Sequence, residues 1–164
     1  MNILVIYDSV YGNTEKIALA IGGELGSPED VAIMRVSEVK PDQFRGLKLL
    51  VVGSPTQRFR PTLAISNLLK GISTNSLKGV KVTAFDTRLT KSNIEETPIL
   101  AFFVRLFGQA AYAAKSIADG LKSKGGELSA PSEGFFVEGM EGPLVKGELE
   151  RAAVWAKQIR ATIH

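Results

Sequence analysis

Residues 2–14 read NILVIYDSVYGNT, and this stretch decides the fold class. Asn2–Tyr7 is mostly apolar and rich in β-branched side chains, a pattern typical of a strand covered on both faces. Ser9–Thr14 is a polar turn with one glycine, and apolar residues then recur from Ile17 at helical spacing. A buried strand, a glycine-containing turn and a helix in this order are the first half of a βαβ unit.

The rest of the chain repeats this alternation of strands and helices. Further strands are predicted at Val31–Val36, Leu47–Val52, Val80–Phe85 and Glu127–Val137, the last broken by Pro131. Further helices are predicted at Leu63–Ile72, at Gln109–Lys124 and at the end of the chain, with a buried stripe of Leu149, Ala152, Trp155, Ala156 and Ile159. This order predicts one α/β domain, residues 1–164, with a doubly wound five-stranded parallel sheet.

Composition excludes several classes of protein. The chain has no cysteine, which excludes disulfides, thiolate metal ligands and thiol nucleophiles. Its only histidine is His164, so a metal or catalytic site built on histidine is not expected. The net charge of +3 is small and scattered, which argues against nucleic-acid binding. No apolar run is long enough for an integral membrane segment and no targeting segment is visible, so a cytoplasmic location is expected.

The turn after the first strand is suited to binding an anion. Gly12 lets the backbone approach a ligand closely, because it has no Cβ. The N–H groups of Asn13, Thr14 and Glu15 would point outward at a helix N-terminus, where the macrodipole favours negative charge. Ser9 and Thr14 can add hydroxyl donors. The turn itself has no lysine or arginine, so a bound phosphate would be held by neutral donors.

The run IYDSVYGNTEKIA resembles the first turn of flavodoxins and related FMN proteins, whose pattern is broadly Thr/Ser-x-Thr-Gly-x-Thr. Tyr11 occupies the place of a threonine, and in this it is similar to the flavodoxin-like quinone reductases. The resemblance implies that FMN is the cofactor and that the strand order is 2-1-3-4-5. It also implies that the FMN phosphate is held by Ser9, Val10, Tyr11, Gly12, Asn13 and Thr14.

The second informative turn follows the third strand. The run Gly53-Ser54-Pro55-Thr56-Gln57-Arg58-Phe59 resembles the Gly-Ser/Thr-Pro-Thr loop that packs beside the flavin in this superfamily. The resemblance implies cofactor contacts from Ser54, Pro55, Thr56, Gln57, Arg58 and Phe59. Phe59 is the best candidate to stack on the isoalloxazine ring, and the alternative is a core side chain on the underside of the loop.

The third turn departs from the family pattern. Flavodoxins place a tyrosine or a glycine-rich stretch after the fourth strand, and Phe85-Asp86-Thr87-Arg88-Leu89 has neither feature. Asp86, Thr87 and Arg88 are still expected at the cofactor, because this turn belongs to the same edge of the sheet. Arg58, Arg60 and Arg88 would face one crevice, either beside the flavin or as solvated side chains.

Ile94–Phe107 contains a run of apolar residues that ordinary short flavodoxins lack. We predict that this segment is helical and buries Phe102, Phe103 and Phe107, because so apolar a patch is rarely left bare. The alternatives for its partner are the core of the domain, a ligand under the helix, and another subunit in a homodimer formed through Ile94–Phe107.

Three functional classes fit these observations. The first is an FMN-dependent electron-transfer protein or small oxidoreductase, with a redox partner protein or a small-molecule electron acceptor. The second is a flavin-dependent quinone or porphyrinogen oxidoreductase, which needs an open face for a second substrate. The third is a flavodoxin-fold domain that has lost flavin and serves as a binding module. The absence of ring-enclosing residues after Asp86 favours the third, and the fold alone does not choose between them.

Overall fold

The computed structural model describes residues 2–163, without the side chains of residues 109 and 111, so His164 lies outside the described residues. Its strands are β1 (Ile3–Tyr7), β2 (Val31–Arg35), β3 (Leu49–Pro55), β4 (Lys81–Leu89), β5 (Glu127–Leu128) and β6 (Glu133–Val137). They form one sheet in the order β2-β1-β3-β4, and both β5 and β6 pair with β4. All of these pairings are parallel, which confirms the predicted strand order 2-1-3-4-5.

Helices cover both faces of this sheet. They are α1 (Asn13–Leu25), α2 (Leu63–Gly71), α3 (Lys91–Glu95), α4 (Pro98–Phe107), α5 (Ala113–Ser123) and α6 (Glu148–Arg160). One apolar cluster joins α1 and α6 to one face, and a second joins α2 and α5 to the other. The continuous apolar strands are therefore buried on both sides, as the sequence predicts. Within residues 2–163 we find no helix with the length and apolar character needed to span a membrane.

The carboxyl ends of β3 and β4 extend further than the sequence predicts. β4 continues four residues beyond Phe85 because it pairs with β6, from Phe85 opposite Glu133 to Leu89 opposite Val137. Asp86, Thr87 and Arg88 are therefore strand residues and not a turn. The predicted fifth strand is split at Pro131, because proline has no N–H to donate to the ladder.

The final helix buries a slightly different stripe from the one predicted. Leu149 is 42% exposed, whereas the other four predicted residues are buried. Glu148 takes the inward position one turn before Ala152, and its carboxylate accepts a hydrogen bond of 2.6 Å from the backbone N–H of Phe136. Arg151 forms an ion pair with the same carboxylate at 2.6 Å, so the buried charge is compensated.

The predicted helix at Ile94–Phe107 is two helices, α3 and α4. They are separated at Thr97, because a residue that precedes proline is disfavoured in helical conformation, while Pro98 suits the first turn of α4. Burial in the core of the domain, one of the alternatives for this segment, is wrong: Phe102, Phe103 and Phe107 are 61%, 37% and 52% exposed. An interface role for these side chains stays a prediction.

Candidate functional site

The ends of β1, β3 and β4 meet around a cleft of about 850 Å³. Parallel α/β sheets bind ligands at this edge. The sequence-predicted residues that line the cleft are Ser9, Val10, Tyr11, Asn13 and Thr14 from the first turn, Pro55, Thr56, Gln57, Arg58 and Phe59 from the second, and Thr87 and Arg88 from β4. Gly12, Ser54 and Asp86 are not among the lining residues: Gly12 is a partly exposed residue of the first turn, whereas Ser54 and Asp86 are fully buried.

The first turn leaves an uncapped helix N-terminus beside the cleft. Gly12 is the N-cap of α1 with φ of 87°, a left-handed conformation that favours glycine, and no side chain caps the helix. Ser9 Oγ accepts a hydrogen bond of 3.0 Å from the Gly12 N–H, so its own proton remains available for donation. Thr14 Oγ1 lies 2.8 Å from Thr87 Oγ1, and this buried pair needs only one of its two hydroxyl protons for the mutual bond.

Asn13 connects the first turn to the loop before α6. Its side-chain amide donates a hydrogen bond of 3.0 Å to the carbonyl oxygen of Glu141. Gly142 lies so close that a Cβ there would be 2.5 Å from Asn13 Nδ2, and its φ of 102° also favours glycine. The Asn13 side chain is thus held by the protein, and its backbone lies in the first turn of α1.

Arg35 brings a positive charge to the first turn from the neighbouring strand. It lies at the end of β2, opposite Tyr7 in the parallel register. Its guanidinium donates a hydrogen bond to the carbonyl oxygen of Ser9 and lies 3.7 Å from the Asp8 carboxylate. Sequence reasoning missed Arg35, because its proximity depends on how two strands are aligned; the only signal is its position at the end of the second strand.

The second turn contains a tight reversal in a strained conformation. Gln57 and Arg60 exchange backbone hydrogen bonds of 2.9 and 3.0 Å around Arg58 and Phe59. Arg58 has φ of 47° and Phe59 has φ of 67°, so two successive non-glycine residues are left-handed. Such a residue costs about 1–2 kcal/mol, and such strain clusters at ligand sites.

Phe59 is a half-buried residue that lines the cleft, so it is not a core side chain on the underside of the loop. Its ring centroid lies 5.1 Å from that of Phe103 on α4. The loop behind it is fixed by Ser54, which is fully buried and whose Oγ accepts a hydrogen bond of 3.0 Å from the Thr62 N–H. Ser54 therefore shapes the loop rather than facing the cleft.

A buried ion pair stands at the end of β4. Arg88 Nε and Nη2 donate to the two oxygens of the Asp86 carboxylate at 2.6 and 2.9 Å. The backbone N–H of Ala114, at the start of α5, donates to the same carboxylate at 2.8 Å. Burial raises the pKa of Asp86, and the guanidinium of Arg88 opposes that shift. The Arg88 side chain is only 10% exposed, so the interpretation of a solvated side chain is wrong for this residue.

The guanidinium of Arg88 is closely packed against Tyr112 and Gly134. Its carbon lies 3.7 Å from the centroid of the Tyr112 ring, a cation–π contact. A Cβ on Gly134 of β6 would lie 2.5 Å from Arg88 Nη2, so this glycine leaves the space that the guanidinium fills. Tyr112 lines the cleft, and burial raises the pKa of its hydroxyl. It places an aromatic ring beside the end of β4, where residues 86–89 contain none.

Helix α4 forms an apolar side of the cleft. Leu100 and Val104, one turn apart, line it together with Ile94 of α3. None of the described residues forms a group of acidic or histidine side chains that could hold a metal ion. The site is therefore a largely apolar cleft whose lining includes an uncapped helix N-terminus and an enclosed arginine.

A doubly wound parallel sheet with such a turn after its first strand defines a class of nucleotide-binding α/β proteins. The family model described as flavodoxin matches residues 5–86, half of the 164-residue chain. The chain belongs to the flavodoxin family.

Solved structures show the same fold at low sequence identity. A flavodoxin from the domain Archaea is 20% identical over 99% of both chains, with a TM-score of 0.75. Flavodoxin 2 from Bacillus cereus is 19% identical over 98% of this chain and 99% of that one, with a TM-score of 0.72. A flavodoxin, WrbA-like protein from Agrobacterium tumefaciens is 15% identical over 99% and 96%, with a TM-score of 0.70. No curated protein matches the chain in sequence.

Proposed function

We propose that this chain binds FMN in the cleft and serves in electron transfer or small redox chemistry. The observation that carries the proposal is the first turn. Gly12 leaves the N-terminus of α1 without a side-chain cap, and the Ser9 hydroxyl keeps a proton to donate beside it. Backbone N–H groups at a helix N-terminus are suited to a phosphate.

The remaining cleft fits a flat, largely apolar ring system. A volume of about 850 Å³ lies within the usual range for ligand and cofactor pockets. Its walls carry Phe59, Tyr112 and the α4 side chains, so both aromatic contact and exclusion of water are provided. The ring would be held by Pro55, Thr56, Gln57, Arg58 and Phe59 on one side and by Thr87 and Arg88 on the other, with Ser54 and Asp86 supporting these contacts from behind.

FMN, when bound, supplies the redox chemistry, and the chain supplies binding, orientation and electrostatics. The described residues that line the cleft include no aspartate, glutamate, histidine or lysine, which leaves the hydroxyls of Tyr11 and Tyr112 as the candidates for proton transfer there. This composition supports a role centred on the cofactor, with a redox partner protein or a small molecule as electron acceptor.

A flavin-dependent quinone or porphyrinogen oxidoreductase is the second candidate. One observation favours it: Leu100 and Val104 add an apolar wall to the cleft beyond the three turns, as a second, apolar substrate would require. Reduction of the FMN-loaded protein by NAD(P)H, followed by oxidation with a quinone, distinguishes this enzyme from an electron-transfer protein.

Titration of the protein with FMN tests the proposal, with Thr14→Val as the informative variant. The substitution removes the hydroxyl that pairs with Thr87 and keeps the size of the side chain. A hydrogen bond to a charged group contributes about 1.5–3 kcal/mol, so the Kd for FMN should rise about tenfold or more.

Thr74→Val is the matched control, because Thr74 is an exposed threonine before β4, at the opposite edge of the sheet. Its Kd should equal that of the wild type. If FMN produces no change in absorbance or fluorescence at millimolar concentration, the chain is a flavodoxin-fold module without flavin. Equal affinities of Thr14→Val and the wild type for FMN would contradict the proposed contact between the first turn and the phosphate.

A further inference from the structure

Helix α4 presents a continuous apolar stripe to solvent. Residues three and four apart lie on one side of a helix, and the exposed apolar residues of α4 follow this spacing. They are Ile99 (70% exposed), Phe102 (61%), Phe103 (37%), Leu106 (61%) and Phe107 (52%). Five large apolar side chains on a helix of 10 residues form a patch of the kind that marks an interaction surface.

This helix has little to hold it within one chain. No residue of α4 is buried among those that the structure describes, and the elements it contacts most are its chain neighbours, α3 and the turn at residues 108–111. An isolated helix shorter than about 12–15 residues is only marginally stable in water. A contact on the exposed stripe would supply the stabilisation that α4 lacks.

The charges around the stripe match a second copy of the same segment. Glu95 and Glu96 precede α4, Arg105 lies in its last turn, and all three are exposed. Within the described part of the chain none of them forms an ion pair. When two copies of a helix pack antiparallel about a two-fold axis, the beginning of each lies beside the end of the other. Glu95 and Glu96 of one copy would then face Arg105 of its partner, in both directions.

We propose that the exposed face of α4 binds the same face of a second copy, so that the protein is a homodimer with antiparallel α4 helices. The acidic pair argues against a lipid surface as the partner, since helices that lie on membranes carry lysine and arginine beside their apolar stripe.

The proposed contact lies next to the cleft. The same helix turns Leu100 and Val104 into the cleft, and Phe103 contacts the ring of Phe59 at 5.1 Å between centroids. A partner on the outer stripe therefore fixes the position of one cleft wall. The dimer does not depend on the proposed FMN binding, and both can be tested separately.

The first test is the molecular mass of the protein without FMN, measured by sedimentation equilibrium over a range of concentrations. We expect a monomer–dimer equilibrium in the micromolar range, since one short helix gives a small interface. Leu106→Asp should weaken dimerisation about tenfold or more, because it buries a carboxylate in the stripe. Val154→Asp is the matched control: Val154 is 56% exposed on α6, and this variant should dimerise like the wild type.

The second test distinguishes the antiparallel contact from unspecific apolar association. Arg105→Glu should weaken the dimer, and the triple variant Glu95→Lys/Glu96→Lys/Arg105→Glu should restore it, because the reversed charges again match. If none of these substitutions changes the dissociation constant of the dimer, the antiparallel arrangement is contradicted. The proposal is overturned if the wild type is still a monomer at a concentration of about 100 μM. It is also overturned if the wild type is a monomer that sediments with phosphatidylglycerol vesicles. Circular dichroism of each variant confirms that the fold is intact.

Discussion

Replacing Gly134 by alanine tests whether the closely packed site of the Arg88 guanidinium is rigid. The new Cβ would lie 2.5 Å from Nη2 and closer still to the guanidinium carbon. Arg88 has little room to move away, because the Tyr112 ring centroid is 3.7 Å from that carbon and two hydrogen bonds hold the guanidinium to Asp86. Either the strands separate or the ion pair breaks.

The magnitude follows from these two outcomes. Overpacking in a rigid site costs about 1–3 kcal/mol, and breaking a buried ion pair costs about 3–5 kcal/mol. We expect the free energy of unfolding to fall by about 2–4 kcal/mol, which lowers Tm by roughly 5–15 °C in a domain of this size. Urea unfolding followed by the fluorescence of Trp155, which is buried, measures the change.

Gly23→Ala is the matched control for this substitution. Gly23 lies within α1, and nothing is within 4 Å of a Cβ built there, so alanine should stabilise the protein by up to about 1 kcal/mol. A double-mutant cycle with Asp86→Asn should show strong coupling to Gly134→Ala, since both act on the same ion pair. Equal stability of Gly134→Ala and the wild type would refute the enclosed position of Arg88.

Three further substitutions probe other contacts. Arg58→Asn should raise the free energy of unfolding by about 0.5–1 kcal/mol in a denaturant titration, because asparagine tolerates the left-handed conformation that Arg58 adopts. A decrease would contradict backbone strain at this residue. Gly142→Ala should weaken FMN binding and lower Tm, since its Cβ would displace the side chain of Asn13; unchanged calorimetric values for both would count against this. Glu148→Gln should lower the free energy of unfolding by about 2–4 kcal/mol in thermal unfolding, because the buried carboxylate accepts a hydrogen bond from the Phe136 N–H and pairs with Arg151. A decrease of less than about 0.5 kcal/mol would contradict that role.

The parts of this molecule that are local in sequence could be predicted from the sequence. The strand, turn and helix of residues 2–25 are contiguous, so their pattern predicts both the elements and the glycine-containing turn at the start of α1. The strand order came from the resemblance to flavodoxins, and the sheet confirms it. Residues expected at the cofactor still depend on the proposed FMN binding.

Contacts that depend on register or on a long insertion could not be predicted in this way. Arg35 reaches the first turn only because β1 and β2 are aligned residue by residue. Tyr112 reaches Arg88 only after the chain has passed through α3 and α4. The apolar content of α4 predicted that Phe102 would be buried, and burial in the core of the domain was one alternative. That alternative is wrong, because composition does not say which surface covers a helix.

The segment between β4 and α5 has a consequence for how this fold can diverge. It begins at Leu89 and ends at Tyr112, which both line the cleft, and Ile94, Leu100 and Val104 between them line it as well. The start of α5, where this segment ends, is fixed to the sheet edge by two hydrogen bonds. The Ala113 N–H donates to the hydroxyl of Thr56, and the Ala114 N–H donates to the carboxylate of Asp86. Because the entropic cost of closing a loop changes only slowly with its length, this segment can vary in length without a change in the first turn. Exchange of this one segment would therefore change Leu100 and Val104 in the cleft wall together with the exposed stripe of α4.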